Sequence, residues 1–534
     1  MTRLRLFALA VTLIVIALAG CGPSVQRETT ANRIVYGLTL SPSGFDPHIH
    51  QSSEIGIVLR QVYDTLLYRD PFNGGAFVPG LAESWAVSAD QTVYTFTLKE
   101  GIVFHDGTPF NAAAVGANLN RIVAPETRSQ YAVALLGPYA GFEIIDDRTI
   151  SILLSEPFSP FLDALSQFYL GMASPTALNA VPIERYQFNQ VGTGPYRFVE
   201  YIPDQRLILR RNPDYAWGPS FYDAPDSGII EEIEFRFYTD PATRMAALEQ
   251  DIAQVMGELQ PADARALTGD SQIQVLTVPI PGQPDQFMFN TLKFPTDNLT
   301  FRQALLTGTN RQTLVDVVYQ GFSPPATGAL TAGVQFKINA GAQMYGFDSQ
   351  EARALISTLG YVDSDNNGFW DADGGDLTVT VIVPPWGEYR QMVQLLQDQW
   401  RAIGVKLATV SVPDFPTLLA RVTEGDYNLV AFTTYGVDPA FLRQYFVTGA
   451  PRNWTGFSSA ELDALIADAV RQLDPTIRQE RYAVIQQVVM DQVLILPLRQ
   501  RINLNGVSSR VGNLRFDVYG WYPILYNASY QGNG

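Results

Sequence analysis

The chain has 534 residues, of which 46% are hydrophobic, 12% aromatic and 17% charged, a balance that builds large cores and excludes intrinsic disorder. Because a single core stops growing at roughly 250 to 300 residues, two or three domains are expected. With 36 Lys and Arg against 53 Asp and Glu the net charge is −17, which argues against nucleic acid or an anionic membrane surface as partner, and one cysteine excludes an internal disulfide or a thiolate metal cluster.

Met1-Thr2-Arg3-Leu4-Arg5 is a basic start, Leu6 to Ala17 is almost wholly apolar, and Leu18-Ala19-Gly20-Cys21 closes the run with small residues, so residues 1–20 read as a secretion signal. A spanning helix takes roughly 20 apolar residues, and polar Ser24, Gln26, Arg27 and Glu28 follow too soon. Leu-Ala-Gly-Cys resembles the bacterial lipobox. Cys21 is therefore expected to become a lipidated first residue, with diacylglyceryl supplying the two acyl chains that stable anchoring takes. Residues 21–33 lack an apolar period and are expected to form a tether.

Globular sequence begins at Ile34. Ile34 to Leu40 reads as a strand ended by the loop Ser41 to Pro47, Tyr94 to Leu98 alternates as a strand, and Phe142 to Leu154 reads as a hairpin turning at Asp146-Asp147. Later the pattern changes. Leu377 to Val383 is a β-branched run. After it Tyr389, Met392, Val393, Leu396, Trp400 and Ile403 fall on one helical face that Gly404 ends. Val405 to Val410 reads as a strand, Phe415 to Val422 as a helix and Tyr427 to Phe432 as a strand, an alternation that predicts a mainly parallel sheet. Ser458-Ser459-Ala460-Glu461 is a capping box, and Asp474-Pro475 caps a further helix through Val493.

Phe45-Asp46-Pro47-His48, Leu81-Ala82-Glu83-Ser84-Trp85 and Phe104-His105-Asp106-Gly107-Thr108-Pro109 are long, specific blocks. They continue in Gly192-Thr193-Gly194-Pro195-Tyr196, Phe289-Asn290-Thr291, Phe301-Arg302-Gln303-Ala304-Leu305 and Leu496-Pro497-Leu498. Together they resemble the family 5 extracellular solute-binding proteins, the peptide, nickel and oligosaccharide receptors of bacterial ABC importers. The resemblance implies an α/β, two-lobed periplasmic-binding-protein-like fold with an extra strand-rich subdomain in the first lobe. Lobe I would take residues 31–70, 189–279 and 500–534, its inserted subdomain 71–188, and lobe II 280–499. It also implies capture of an oligopeptide, oligosaccharide or similar solute between the lobes for delivery to permease subunits, by a monomer that needs no cofactor.

In peptide-binding members a lobe II strand ends in an Asp that pairs with the peptide's amino terminus. Here Thr433-Thr434-Tyr435-Gly436-Val437-Asp438-Pro439 has no carboxylate before Asp438, which weakens the case for free-amine peptides. Thr433, Thr434 and Tyr435 suit a polyhydroxylated solute or a blocked peptide, and Asp438 is the candidate replacement for the missing charge. Trp386 and Arg390 follow a strand end, where ligands gather in open α/β sheets, and Ser43 and Phe45 follow the first strand.

Only His48, His50 and His105 could supply imidazole. His48-x-His50 with Asp46 is a weak transition-metal set, and a structural turn is the preferred role for His105. Asp363, Asp365, Asn367, Gly368 and Asp371 match the start of a calcium loop, but its twelfth position is Gly374, so a turn-rich surface loop is preferred and no metal is expected. Two rival functions are a secreted carboxylate-dependent glycoside hydrolase and a solute-sensing subunit of a receptor. Nucleophile elbow, zinc-peptidase and phosphate-loop motifs are absent from the sequence.

Overall fold

The protein is described here by a computed structural model covering residues 32–340, 346–372 and 374–532. The signal segment and Cys21 lie outside the described residues, as does all of the tether except its last two residues. Arg33–Leu38 opens a seven-stranded sheet and is buried at every position after Arg33, as suits a strand covered on both faces. It pairs in parallel with Glu232–Phe237 and with Val255–Met256. Arg206–Arg211 and Tyr196–Ile202 extend one edge, and Ile502–Ser508 and Ile273–Pro279 extend the other.

Ala82–Val87, Val93–Leu98, Thr149–Leu154 and Tyr139–Asp146 form a separate four-stranded antiparallel sheet. Ala112–Val123 is a helix whose buried face includes Val115, Leu119 and Ile122, capped by Asn111. Its Gly116 faces the ring of Phe142 in that sheet. Tyr94, Phe96, Ile150 and Ile152 belong to the same apolar cluster as Ile34, Tyr36 and Phe235, so both sheets share one core. On the other face of the large sheet Val35, Met256 and Leu504 pack with Ala247 and Ala264.

A second large core surrounds a five-stranded sheet in the order Lys406–Ser411, Thr378–Val383, Leu429–Ala431, Asp285–Phe289, Ile495–Arg499. Its first three strands are parallel and joined by the helices Tyr389–Ala402 and Phe415–Glu424. Gly404 follows the first helix in the left-handed region at φ 83°. Asp414 and Gly425 cap the second. The mainly parallel sheet expected from sequence is therefore mixed. Asp285–Phe289 and Ile495–Arg499 pair antiparallel to their neighbours, because they carry the chain into and out of the lobe in opposite directions.

Those two passages form the connection between lobes. Ile273–Pro279 pairs antiparallel with Ile502–Ser508 in one lobe, and Asp285–Phe289 pairs antiparallel with Ile495–Arg499 in the other. Residues 280–284 and 500–501 span the gap, held by the Ile280 N–H donating to the Arg501 carbonyl at 2.9 Å. Gly282 lies against Thr434, where a Cβ would come within 2.2 Å of the Thr434 carbonyl oxygen. Only glycine permits that approach.

Candidate functional site in the interlobe cleft

The strand Leu429–Ala431 ends at Phe432, and the chain then runs along the connecting segment. The Gln283 N–H donates to the Thr434 carbonyl and the Gly436 N–H to the Pro281 carbonyl, each at 2.9 Å, while the Thr433 hydroxyl donates to the Gln283 carbonyl. These bonds aim Tyr435 at the opposite lobe. Its hydroxyl lies 3.3 Å from that of Tyr169 and 3.1 Å from that of Tyr522. Burial pushes the Tyr435 phenol up, so it stays protonated and serves as donor and acceptor.

Beside Tyr435 a cavity of about 70 Å³ is lined by Tyr131, Phe158, Asp163, Asp438, Arg443 and Tyr519 among others. It has room for a few waters and not for a peptide, so a solute of that size requires the lobes to part. A larger cavity of about 490 Å³ lies between Gln260–Ala262, the 317–320 segment, and Glu388 with the face of the helix that follows it.

Two carboxylates line the smaller cavity, and both are engaged. Asp438 accepts two bonds from Arg478 at 2.8 and 3.0 Å and caps the following turn through the Ala440 N–H. Asp163 pairs with Arg69 and accepts the Tyr519 hydroxyl at 3.2 Å. Arg443 lies over Phe158 at 5.0 Å and makes no ion pair among the described residues; burial lowers its pKa. With its carboxylates neutralised by Arg69 and Arg478, the wall has one cation beyond balance.

The structure thus brings Tyr435 and Asp438 to one cavity, with Thr433 and Thr434 holding the backbone beside them. The other sequence candidates lie elsewhere. Phe45 lines neither cavity: it is fully buried against Tyr201 at 5.0 Å and Phe237 at 6.3 Å. Its loop is pinned by Arg121 on Asp46, and Ser43 bonds His50 Nδ1 at 3.1 Å on the surface. Trp386, 37% exposed, starts an aromatic row through Phe415 and Phe432 to Trp454. Neither it nor the exposed Arg390 lines either cavity.

The histidines have protein partners. His48 is fully buried, with Nε2 3.0 Å from the Gly171 carbonyl and Nδ1 2.8 Å from Arg121; His105 Nε2 lies 2.9 Å from the Gly194 carbonyl. In the calcium-like loop, Asp363 and Asp365 accept backbone N–H groups of Asn367 and Gly368, and Asp371 accepts the backbone N–H and the hydroxyl of Ser364. No group of three or more His, Cys, Asp or Glu placed to hold a metal occurs among the described residues.

Sequence reasoning missed Asp163, Arg443, Gln283 and the tyrosines 131, 169, 519 and 522. Gln283 had one signal, its place in Pro281-Gly282-Gln283-Pro284. It is fully buried with neither side-chain amide atom hydrogen-bonded.

The family model described as "Bacterial extracellular solute-binding proteins, family 5 Middle" matches residues 76–453. The chain belongs to that family. The binding protein is 27% identical over 537 residues to heme-binding protein A of Haemophilus influenzae, covering 95% of this chain and 94% of the relative. It is 27% identical over 527 residues to the dipeptide-binding protein of Escherichia coli, covering 93% and 94%. Among solved structures, NikA from Brucella suis in complex with Fe(III)-EDTA aligns with a TM-score of 0.84 at 22% identity, covering 93% of this chain and all of that one. That agreement places the two-lobed periplasmic-binding-protein architecture on this chain. As a family member the protein is a solute-binding component of an ABC importer and not an enzyme, which sets aside the glycoside hydrolase reading. Family members are periplasmic or extracytoplasmic. No helix of the described residues is long and apolar enough to cross a membrane.

Proposed function

We propose that the protein captures an organic solute carrying a carboxylate, closes its lobes around it through Tyr435, and delivers it to permease subunits from a lipid anchor at Cys21. The lobes exchange solute by parting and closing, and a ligand that touches both lobes favours the closed state by its differential affinity. The observation that carries the solute reading is the charge of the inner cavity: both carboxylates are held by arginines, whereas Arg443 makes no ion pair among the described residues. A half-buried guanidinium without an ion pair favours an acceptor anion, and an ammonium would find no uncommitted counter-charge at Asp438. A heme and a dipeptide, named for the two relatives, share little beyond carboxylates and apolar surface.

The test is a thermal-shift panel of peptides with free and amidated carboxyl ends, heme and oligosaccharides. A ligand at 100 times its Kd stabilises by about 2.7 kcal/mol. Free-carboxyl ligands should bind at least tenfold tighter than their amides, and equal binding overturns the reading. Tyr435→Ala should weaken capture by about tenfold or more while the ligand-free protein still melts cooperatively; unchanged affinity removes Tyr435 from the pocket. Cys21→Ala should move the protein from the membrane fraction to the soluble extract, and retention on membranes would show that the anchor is not at Cys21.

A further inference from the structure

Glu54 and Glu258 lie side by side in lobe I. The Thr39 hydroxyl contacts both, at 2.7 Å from Glu54 Oε1 and closely at Glu258 Oε2. Neither carboxylate has an ion pair among the described residues. Arg244, the neighbouring base, donates instead to the backbone carbonyl of Glu258 at 3.1 Å. Glu54 is 2% exposed and its Oε2 has no hydrogen-bond partner. An independent residue points the same way: Asn505, fully buried, has an unpartnered Oδ1. A Cβ added to Gly257 would sit 3.6 Å from that oxygen and 3.9 Å from the Tyr36 hydroxyl, so both groups face the space next to Glu258. The carboxylate oxygens and Asn505 Oδ1 are acceptors, and the hydroxyls of Thr39 and Tyr36 both donate and accept.

The place is as telling as the chemistry. Thr39 and Glu258 follow the ends of the parallel strands Arg33–Leu38 and Val255–Met256, and carboxyl ends of strands are where open α/β sheets bind ligands. Gln260, two residues past Glu258, lines the 490 Å³ cavity. Ser52, two residues before Glu54, accepts through its carbonyl the Tyr169 hydroxyl that meets Tyr435. Glu258 itself is only partly buried, which leaves the pair an open side.

We propose that Glu54 and Glu258 form a subsite for a cationic group of the solute, an ammonium or guanidinium, an inference that rests on the capture reading above. Two adjoining carboxylates cannot both ionise cheaply, and burial together with the Glu258 charge raises the Glu54 pKa, so the empty pair holds a proton. An N–H cation takes the place of that proton between the two carboxylates and satisfies Asn505 Oδ1, which has no partner among the described residues. The missing counter-charge of the second lobe is thereby supplied from the first.

Calorimetry with alanyl-lysyl-alanine and its N-acetyl norleucine analogue tests this. The wild-type protein should bind the cationic peptide at least tenfold more tightly. Glu54→Gln and Glu258→Gln should each weaken the cationic peptide about tenfold and the neutral analogue less than twofold, with melting curves showing both variants folded. Equal binding of the two peptides, or equal loss for both in the variants, overturns the subsite and leaves capture standing. If neither peptide, nor any compound of the panel, binds the wild-type protein, the capture reading falls and the subsite with it.

Discussion

Arg478→Met should destabilise the folded protein by about 3–5 kcal/mol, the usual cost of breaking a buried ion pair from one side. Asp438 and Arg478 are each 6% exposed, and the guanidinium supplies two of the three hydrogen bonds that the Asp438 carboxylate accepts. Pairing with Asp438 holds the Arg478 pKa above its ordinary value despite the opposing effect of burial. Methionine keeps much of the apolar contact that Arg478 makes with Phe336 and Tyr482, which isolates the charge. Urea unfolding measures the loss. The double change Arg478→Met with Asp438→Asn should recover part of it, since the residual cost in the single variant is an unpaired buried carboxylate. A single-variant loss below about 1 kcal/mol would mean that Asp438 finds its counter-charge elsewhere, with Arg443 the nearest candidate, and the inner cavity would then have no cation beyond balance.

Acidification should remove on the order of 3 kcal/mol of stability through His48 alone. Burial first, and the Arg121 charge second, lower its pKa from 6.5 to about 4 in the folded protein. The unfolded chain therefore takes up a proton as pH falls below 6.5 while the folded chain does not. Stability contributed by the neutral ring is present above that pH, falls between 6.5 and 4, and levels off below, at about 1.4 kcal/mol per pH unit. Asp517, raised to about 6 by burial, and Glu54, also raised, act in the opposite sense over part of the same range. The His48 share is consequently read as a difference: wild type minus His48→Gln, each unfolded in urea at pH 7 and pH 4. A difference below about 1 kcal/mol would show that the ring titrates normally and is open to solvent.

Local pattern carried much of the secondary structure. The helix Tyr389–Ala402, the Asp474 cap and the hairpin around Asp146-Asp147 follow from side-chain period, capping oxygens and turn residues that are neighbours in sequence, whereas the cap expected from the Ser458-to-Glu461 box falls one residue later, on Ser459, which accepts the Leu462 N–H. The loop Ser43–Phe45 shows where such reasoning stops. Following a strand end made it a cleft candidate, but the pairing of Asp46 with Arg121, 75 positions away, folds it onto its own lobe.

The sequence by itself determined the helices and strands, the family resemblance and the excess of acid, because those rest on contacts within a few residues or on composition. Only tertiary structure decided which charges are neutralised. Asp163 meets Tyr519 across 356 positions, and Glu54 shares Thr39 with a carboxylate more than 200 positions further on. Whether a carboxylate in the cleft offers its charge to a guest or gives it to an arginine depends on separations of a few ångströms, over which a buried Coulomb interaction outweighs every local preference.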